Sequence, residues 1–166
     1  MQFQRTWFDA EKILPEHQRY PVTQVYCWLW TKDKKIALVS KDNKNWQFPG
    51  GHPKDKETIF QTVKRELQEE LSLDIREDQQ PTLFGYYLIE EREKSKIKRK
   101  YLQLRVFLFL DSDSKELKIK PNETQEEKEE DKVCCARWVS LSQAKKLIPW
   151  LGDSGELSSF SNLING

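Results

Sequence analysis

Long apolar runs are missing from this sequence. The longest, Val25 to Trp30, is far short of the ~20 residues that a membrane-spanning helix needs. The opening residues, Met1-Gln2-Phe3-Gln4-Arg5, do not lead into the apolar stretch of a secretory leader. The chain is therefore expected to be cytoplasmic. Histidine is scarce: His17 and His52 are the two present, and neither stands at zinc-ligand spacing from a cysteine pair. Cysteine is scarce too, with Cys27, Cys134 and Cys135. An odd count containing one adjacent pair is a poor disulfide framework, so buried, reduced thiols are expected. Nor does either sign of charge dominate, since 28 Lys and Arg face 27 Asp and Glu. That balance argues against a strongly basic nucleic-acid binder. It leaves a locally charged site free to take a small anion.

The 166 residues and their patterning point to one domain, long enough to bury roughly 70% of its unfolded surface. No internal repeat is visible. Residues 1–21 are mixed and polar and are expected to be an N-terminal extension packed on a domain of residues 22–152. Val22–Thr31 and Ile36–Val39 read as strands joined by a turn at Asp33-Lys34-Lys35. Trp46-Gln47-Phe48 is a short strand that stops at Pro49-Gly50-Gly51. A helix is predicted from about Glu57 to Leu71, with Glu57 in its first turn. Leu83–Glu90 and Tyr101–Leu110 are strands separated by a charged connection, Glu91–Lys100. A long polar segment, Asp111–Asp131, precedes a last strand at Cys134–Val139. Ser140 or Ser142 then caps a short helix ending near Ile148, before Pro149. The Ser-, Gly- and Asn-rich residues 153–166 are expected to be a loosely held tail. Strands and helices mix without a strict βαβ repeat, which predicts an α/β sandwich with a mixed β-sheet.

The informative stretch is Gly51 to Leu73, GHPKDKETIFQTVKRELQEELSL. At about 100° per residue, Ile59, Val63, Leu67 and Leu71 form an apolar stripe. Glu66, Glu69 and Glu70 stand at i, i+3, i+4 and are neighbours on the helix surface. Glu70 falls inside the edge of the stripe and Glu66 just beside it. Gln61, Lys64 and Gln68 face the solvated side. Clustered carboxylates repel, and carboxylates at a core edge also lose hydration. A divalent cation resolves that conflict. Mg²⁺ takes hard oxygen ligands, usually one or two carboxylates with waters and substrate phosphates.

This stretch resembles the Nudix box, Gx5Ex7REUxEExGU with U aliphatic. Gly51 leads, Glu57 follows, and Arg65-Glu66-Leu67, Glu69-Glu70 and Leu73 complete the pattern. Ser72 stands where the pattern has glycine. The position lies just past the helix, where a left-handed backbone is common, so serine is expected to cost about 1 kcal/mol without loss of chemistry. The box covers 23 of the 166 residues. The order of elements around it extends the resemblance more weakly to about residues 22–151, and implies a Nudix-like α/β/α sandwich.

The resemblance implies that Glu66, Glu69 and Glu70 hold Mg²⁺, with Mn²⁺ as a substitute and the backbone at Gly50 and Gly51 approaching the metal. One of the glutamates, or another nearby, would act as general base. Arg65 would pin a glutamate, Glu57 or Glu69. Many family members add an acid from a loop before the last strand; of the acids between Glu123 and Asp131, Glu129 and Glu130 are the best candidates. Gln103 and Arg105 share one face of a strand. They are either substrate contacts, Arg105 to a phosphate and Gln103 to a base or sugar, or an ordinary surface pair. The implied activity is hydrolysis of a diphosphate linkage in a small nucleoside diphosphate joined to another moiety, X. Two alternatives stay open. One is a non-catalytic nucleotide-sensing module, against which the intact acidic positions speak. The other is an RNA 5′-end pyrophosphohydrolase, for which the basic run Lys94, Lys96, Lys98, Arg99 and Lys100 is the support. That run also reads as the tip of a mixed-charge hairpin. Many relatives are dimers, so a homodimer is compatible with the resemblance.

Overall fold

The computed structural model describes residues 1–166. Its strands are β1 (Gln2–Asp9), β2 (Val22–Thr31), β3 (Ile36–Ser40), β4 (Trp46–Gln47), β5 (Gly50–Gly51), β6 (Thr82–Glu93), β7 (Lys96–Leu110) and β8 (Cys135–Val139). The helices are α1 (Ile59–Leu71), α2 (Leu141–Leu147) and α3 (Gly155–Asn165). The strands lie in the order β1-β6-β7-β2-β3-β4, with β5 on β2 and β8 on β3. The β2–β7 pair is parallel and its neighbours are antiparallel, so the sheet is mixed.

Alternation along the central strands builds two cores. Val25, Cys27 and Leu29 of β2, with Leu102, Leu104 and Val106 of β7, pack on Val63, Leu67 and Leu71 of α1. Trp28 and Trp30 point the other way, with Ile148, Leu151, Leu157 and Phe160 from the α2–α3 side. Helices thus cover both faces, as an α/β/α sandwich requires. No helix is long and apolar enough to cross a membrane.

Several elements differ from the sequence reading. Gln2–Asp9 enters the sheet as edge strand β1, paired with β6 from Gln2↔Arg92 to Asp9↔Gly85. The supposed tail is helix α3, capped by the Ser154 side chain accepting from Leu157 N. The Glu91–Lys100 connection is mostly strand; β6 and β7 turn at Lys94-Ser95, both with positive φ, the backbone that a two-residue hairpin needs. Helix α1 begins two residues later than expected, and Ile59 is exposed rather than buried. Of the thiols, Cys27 alone is buried; Cys134 is exposed and Cys135 half-exposed. Ser140 caps α2, with Gln143 completing a reciprocal pair.

Helix α3 is tied down by a buried charge. Glu156, with no exposure, accepts from Arg105 Nε at 2.6 Å, Trp28 Nε1 at 2.9 Å and Tyr87 Oη at 2.9 Å. Removing one partner of a buried pair strands the other. Glu156→Ala is expected to destabilise the protein by about 3–5 kcal/mol in urea unfolding. A loss below about 1 kcal/mol would show that α3 is held by its apolar contacts alone.

Candidate active site

Helix α1 starts with a reciprocal cap. Thr58 Oγ1 accepts from Gln61 N at 3.1 Å, and Gln61 Oε1 accepts from Thr58 N at 2.9 Å. Glu57 therefore lies just before the helix, outside its first turn, and does something other than complement the dipole. Arg65 donates to it from Nε (2.7 Å) and Nη2 (3.0 Å). The same guanidinium donates from Nη1 to Glu66 Oε1 (2.9 Å) and Glu69 Oε2 (3.4 Å), and from Nη2 to the carbonyl of His52 (3.0 Å). The expected pinning by Arg65 thus takes in both candidate glutamates and Glu66 as well. Paired with Arg65, the Glu57 carboxyl falls to about 2.

Glu66 and Glu70 are buried, at 1% and 4% exposure, as the helical wheel requires. Glu70 Oε1 accepts from Gly50 N at 2.7 Å. Gly50 has φ +147°, which glycine tolerates and other residues do not. A Cβ on Gly51 would run into the Glu66 carboxylate, so glycine there makes room for that side chain. Glu66 Oε2 is buried with no hydrogen-bond partner. Such an orphan carboxylate oxygen is costly unless something else satisfies it. Burial raises all three carboxyls: Glu66 to about 7 despite Arg65, Glu69 in the same direction, and Glu70 well above the ordinary value, helped by repulsion from Glu66.

The structure brings Glu127 to this cluster. Carboxylate oxygens of Glu66, Glu69 and Glu127 all lie within 4.8 Å of one another. Glu70 sits beside them in a hollow lined by Gly50, Gly51 and Glu127. Glu129 and Glu130, the sequence candidates, instead fall in a 3-10 turn, Glu129–Asp131. Glu129 points to solvent and pairs with Lys132 at 3.3 Å. Glu126 pairs with Lys54 at 2.8 Å. The loop acids look alike in sequence, and the fold alone selects Glu127. A set of hard oxygen donors with one buried oxygen unsatisfied fits a divalent cation.

Gln103 and Arg105 do share a face, opposite α1. They line a cavity of about 400 Å³ with Tyr26, Trp46, Phe48 and Trp150, within the usual size range for small-molecule sites. No carboxylate lines it. Phe3 and Arg5 of β1 complete the wall, a contribution the sequence reading did not anticipate. Gln24, Tyr26 and Gln47 line both this cavity and the acidic hollow, so the two adjoin. Trp28 and Trp30 are core residues and unavailable for stacking on a ligand.

The NUDIX domain family model matches residues 20–157. The chain belongs to the Nudix family. No curated protein sequence matches it significantly. Among solved structures it is similar to the Bacillus subtilis pyrophosphohydrolase BsRppH, with TM-score 0.63 and 18% identity over 98% of this chain and 92% of that one. It is also similar to the E. coli dihydroneopterin triphosphate pyrophosphohydrolase (TM-score 0.58, 16% identity, 88% and 99% covered). A third is the C. elegans Ap4A hydrolase (0.54, 16%, 87% and 98%). At these identities the likeness is one of fold.

The raised carboxyl of Glu66 fixes a pH dependence. Between its ordinary 4.5 and about 7 the folded protein holds a proton that the unfolded chain has released. Metal-free stability therefore falls as pH rises through that window. Thermal melts from pH 4.5 to 7 without metal should show this decline, and Glu66→Gln should reduce it. A wild-type melting temperature that climbs across the window would contradict the burial of this carboxyl.

Proposed function

We propose that the protein is a Mg²⁺-dependent hydrolase, served also by Mn²⁺, that cleaves the diphosphate linkage of a nucleoside diphosphate joined to a moiety X. The observation that carries this reading is the convergence of carboxylate oxygens of Glu66, Glu69 and Glu127, where Glu66 also has a buried, unpartnered Oε2. Glu70 and the backbone at Gly51 border the same hollow and belong to the proposed metal environment. When bound, the ion supplies neutralisation of phosphate charge and orientation of the attacking water. Arg65 holds Glu57, Glu66 and Glu69 in place without a contact of its own to substrate. The proton of the attacking water needs a carboxylate acceptor, and Glu66, Glu69, Glu70 and Glu127 are within the cluster to provide one.

The adjoining, carboxylate-free cavity suits the organic end of such a substrate, where aromatic walls stack on a planar base. Gln103 offers an amide for its edge. Arg105 has its charge matched by Glu156 and its Nε and Nη1 occupied. We therefore assign Nη2 to hydrogen bonding with a base or sugar, because the paired guanidinium is not a free cation for a phosphate. A cytoplasmic setting and a small-molecule substrate accompany this proposal; dinucleoside polyphosphates and pterin triphosphates, named for the similar structures, belong in the panel to be tested. Arg99 and Tyr101 flank Gln103 at a smaller adjoining hollow, which keeps triphosphorylated RNA in that panel.

Purified protein with Mg²⁺ should release phosphate products from at least one member. Glu69→Gln, and Glu70→Gln, which retains an acceptor for Gly50 N–H, should fold normally yet lose activity about 100-fold or more. Near-full activity in either variant would remove that residue from the site. Nucleotide binding that persists without metal, with no turnover on any substrate, would favour the sensing module. Separately, Gln103→Ala, which leaves the buried Arg105–Glu156 pair intact, should raise KM about fivefold or more on the substrate found. An unchanged KM would place the organic moiety elsewhere.

A further inference from the structure

The adjacent cysteines are absorbed neither by the fold nor by the proposed chemistry. Cys135 opens β8 and Cys134 immediately precedes it at the protein surface, with their sulfurs 2.6 Å apart. The backbone they share is wired to the acidic loop. Cys134 N donates to Ser40 O at 2.9 Å, and Cys135 is the register partner of Ser40. The preceding residue, Val133, is buried, and the Gln125 side chain clamps it: Val133 N donates to Gln125 Oε1 and Gln125 Nε2 donates to Val133 O, each at 3.0 Å. Gln125 lies two residues before Glu127. Its Nε2 also donates to the carbonyl of Asn122 at 3.1 Å, so one amide closes the whole loop.

We propose that Cys134 and Cys135 form a peroxide-responsive dithiol, and that its oxidation to a vicinal disulfide loosens the segment carrying Glu127. The inference rests on the reading of Glu127 as part of the metal cluster. The geometry explains why a bond here would be felt nearby. Disulfides ordinarily join Cα atoms about 4.4–6.8 Å apart, whereas neighbours across a trans peptide stand about 3.8 Å apart. The eight-membered ring must therefore twist the Cys134–Cys135 peptide. The groups that move first are the Cys134 N–H on Ser40 and the Val133 carbonyl on Gln125. The same strain makes the bond easy to reduce, so the change is reversible.

The chemistry balances with hydrogen peroxide as oxidant. The exposed Cys134 sulfur attacks a peroxide oxygen, the O–O bond breaks, and Cys134 sulfenic acid and water result. The Cys135 sulfur then attacks the Cys134 sulfur; the S–S bond forms, the S–O bond breaks, and a second water leaves with the thiol proton. Two electrons pass from the sulfurs to the peroxide. An external dithiol reverses the step by exchange. Cys27 takes no part, because it is fully buried in the core.

The test uses the full chain treated with hydrogen peroxide. The expected result is a mass lower by two hydrogens, located to the Cys134–Cys135 peptide and restored by dithiothreitol. Amide exchange across residues 122–133 should rise on oxidation, and Mn²⁺ affinity measured by calorimetry should fall about tenfold. Cys134→Ser and Cys135→Ser should bind Mn²⁺ like the reduced wild type and show neither change. Absence of the two-hydrogen loss overturns the proposal, as does an oxidised protein whose exchange at 122–133 is unchanged. If the reduced protein bound no Mn²⁺, the metal reading would fail, while mass and exchange would still decide whether the loop responds to the thiols.

Discussion

The guanidinium of Arg65 is the contact on which the site depends. Three carboxylates on successive turns of α1, with Glu57 arriving from the preceding loop, would repel one another at the edge of a core. One planar, always-charged fork with five donors reaches Glu57, Glu66, Glu69 and the His52 carbonyl together. It thereby locks the β5–α1 connection against the helix. A lysine would bring the charge without that geometry. The arrangement is still incomplete: Glu66 keeps one oxygen unpaired, and Glu70 is held by one backbone N–H. A structure stabilised for its own sake would not leave such gaps, and both lie at the proposed cation site.

The parity of β2 then separates the two halves of the site. Val25 and Cys27 turn toward α1, whereas Gln24 and Tyr26 turn toward the opposite cavity. Acidic groups gather on one side of Gly50-Gly51, and amides, aromatics and guanidinium groups on the other. On the proposed reading, this divides a substrate by chemistry, with its phosphates at the acidic end and its organic moiety in the cavity. The floor of that cavity depends on Arg105, which Glu156 orients from α3. The last helix therefore shapes the pocket from beneath, although it lies far along the chain from the box.

How much of this was legible follows from how local each signal is. The box could be read because the 3.6-residue period places Glu66 and Glu70 on the apolar side before any tertiary contact is known. β2 could be read from its β-branched and aromatic run, and the observed strand has the expected bounds, Val22–Thr31. The edge strand β1 could not, since it is almost wholly exposed and its apolar residues, Phe3, Trp7 and Phe8, do not alternate with polar ones. The end of the chain carried a helix signal that composition obscured: Ser154 as a cap, then Leu157, Phe160 and Ile164 at helical spacing. Glu127 had no local signal. Six acids share that loop, and which one reaches α1 is decided by Gln125, Asn122 and the end of the helix, none adjacent to it in any readable pattern.

The departure at Ser72 bears on that same loop. Its backbone is left-handed, φ 56° and ψ 32°, so the strain expected for a residue other than glycine is present. Glycine would relieve it. Serine, however, adds a hydroxyl that donates to the carbonyl of Lys120 at 2.8 Å. Lys120 N in turn reaches Leu71 O, and Asn122 N reaches Glu69 O at 2.8 Å. The incoming segment is thus laid along the last turn of α1, against the very helix that carries Glu66 and Glu69. From Asn122, the Gln125 clamp takes over and delivers Glu127 to the cluster. A hydrogen bond contributes about 1 kcal/mol, close to the strain it accompanies. The substitution is therefore near neutral for stability, and its effect is to anchor the loop on which the third carboxylate rides.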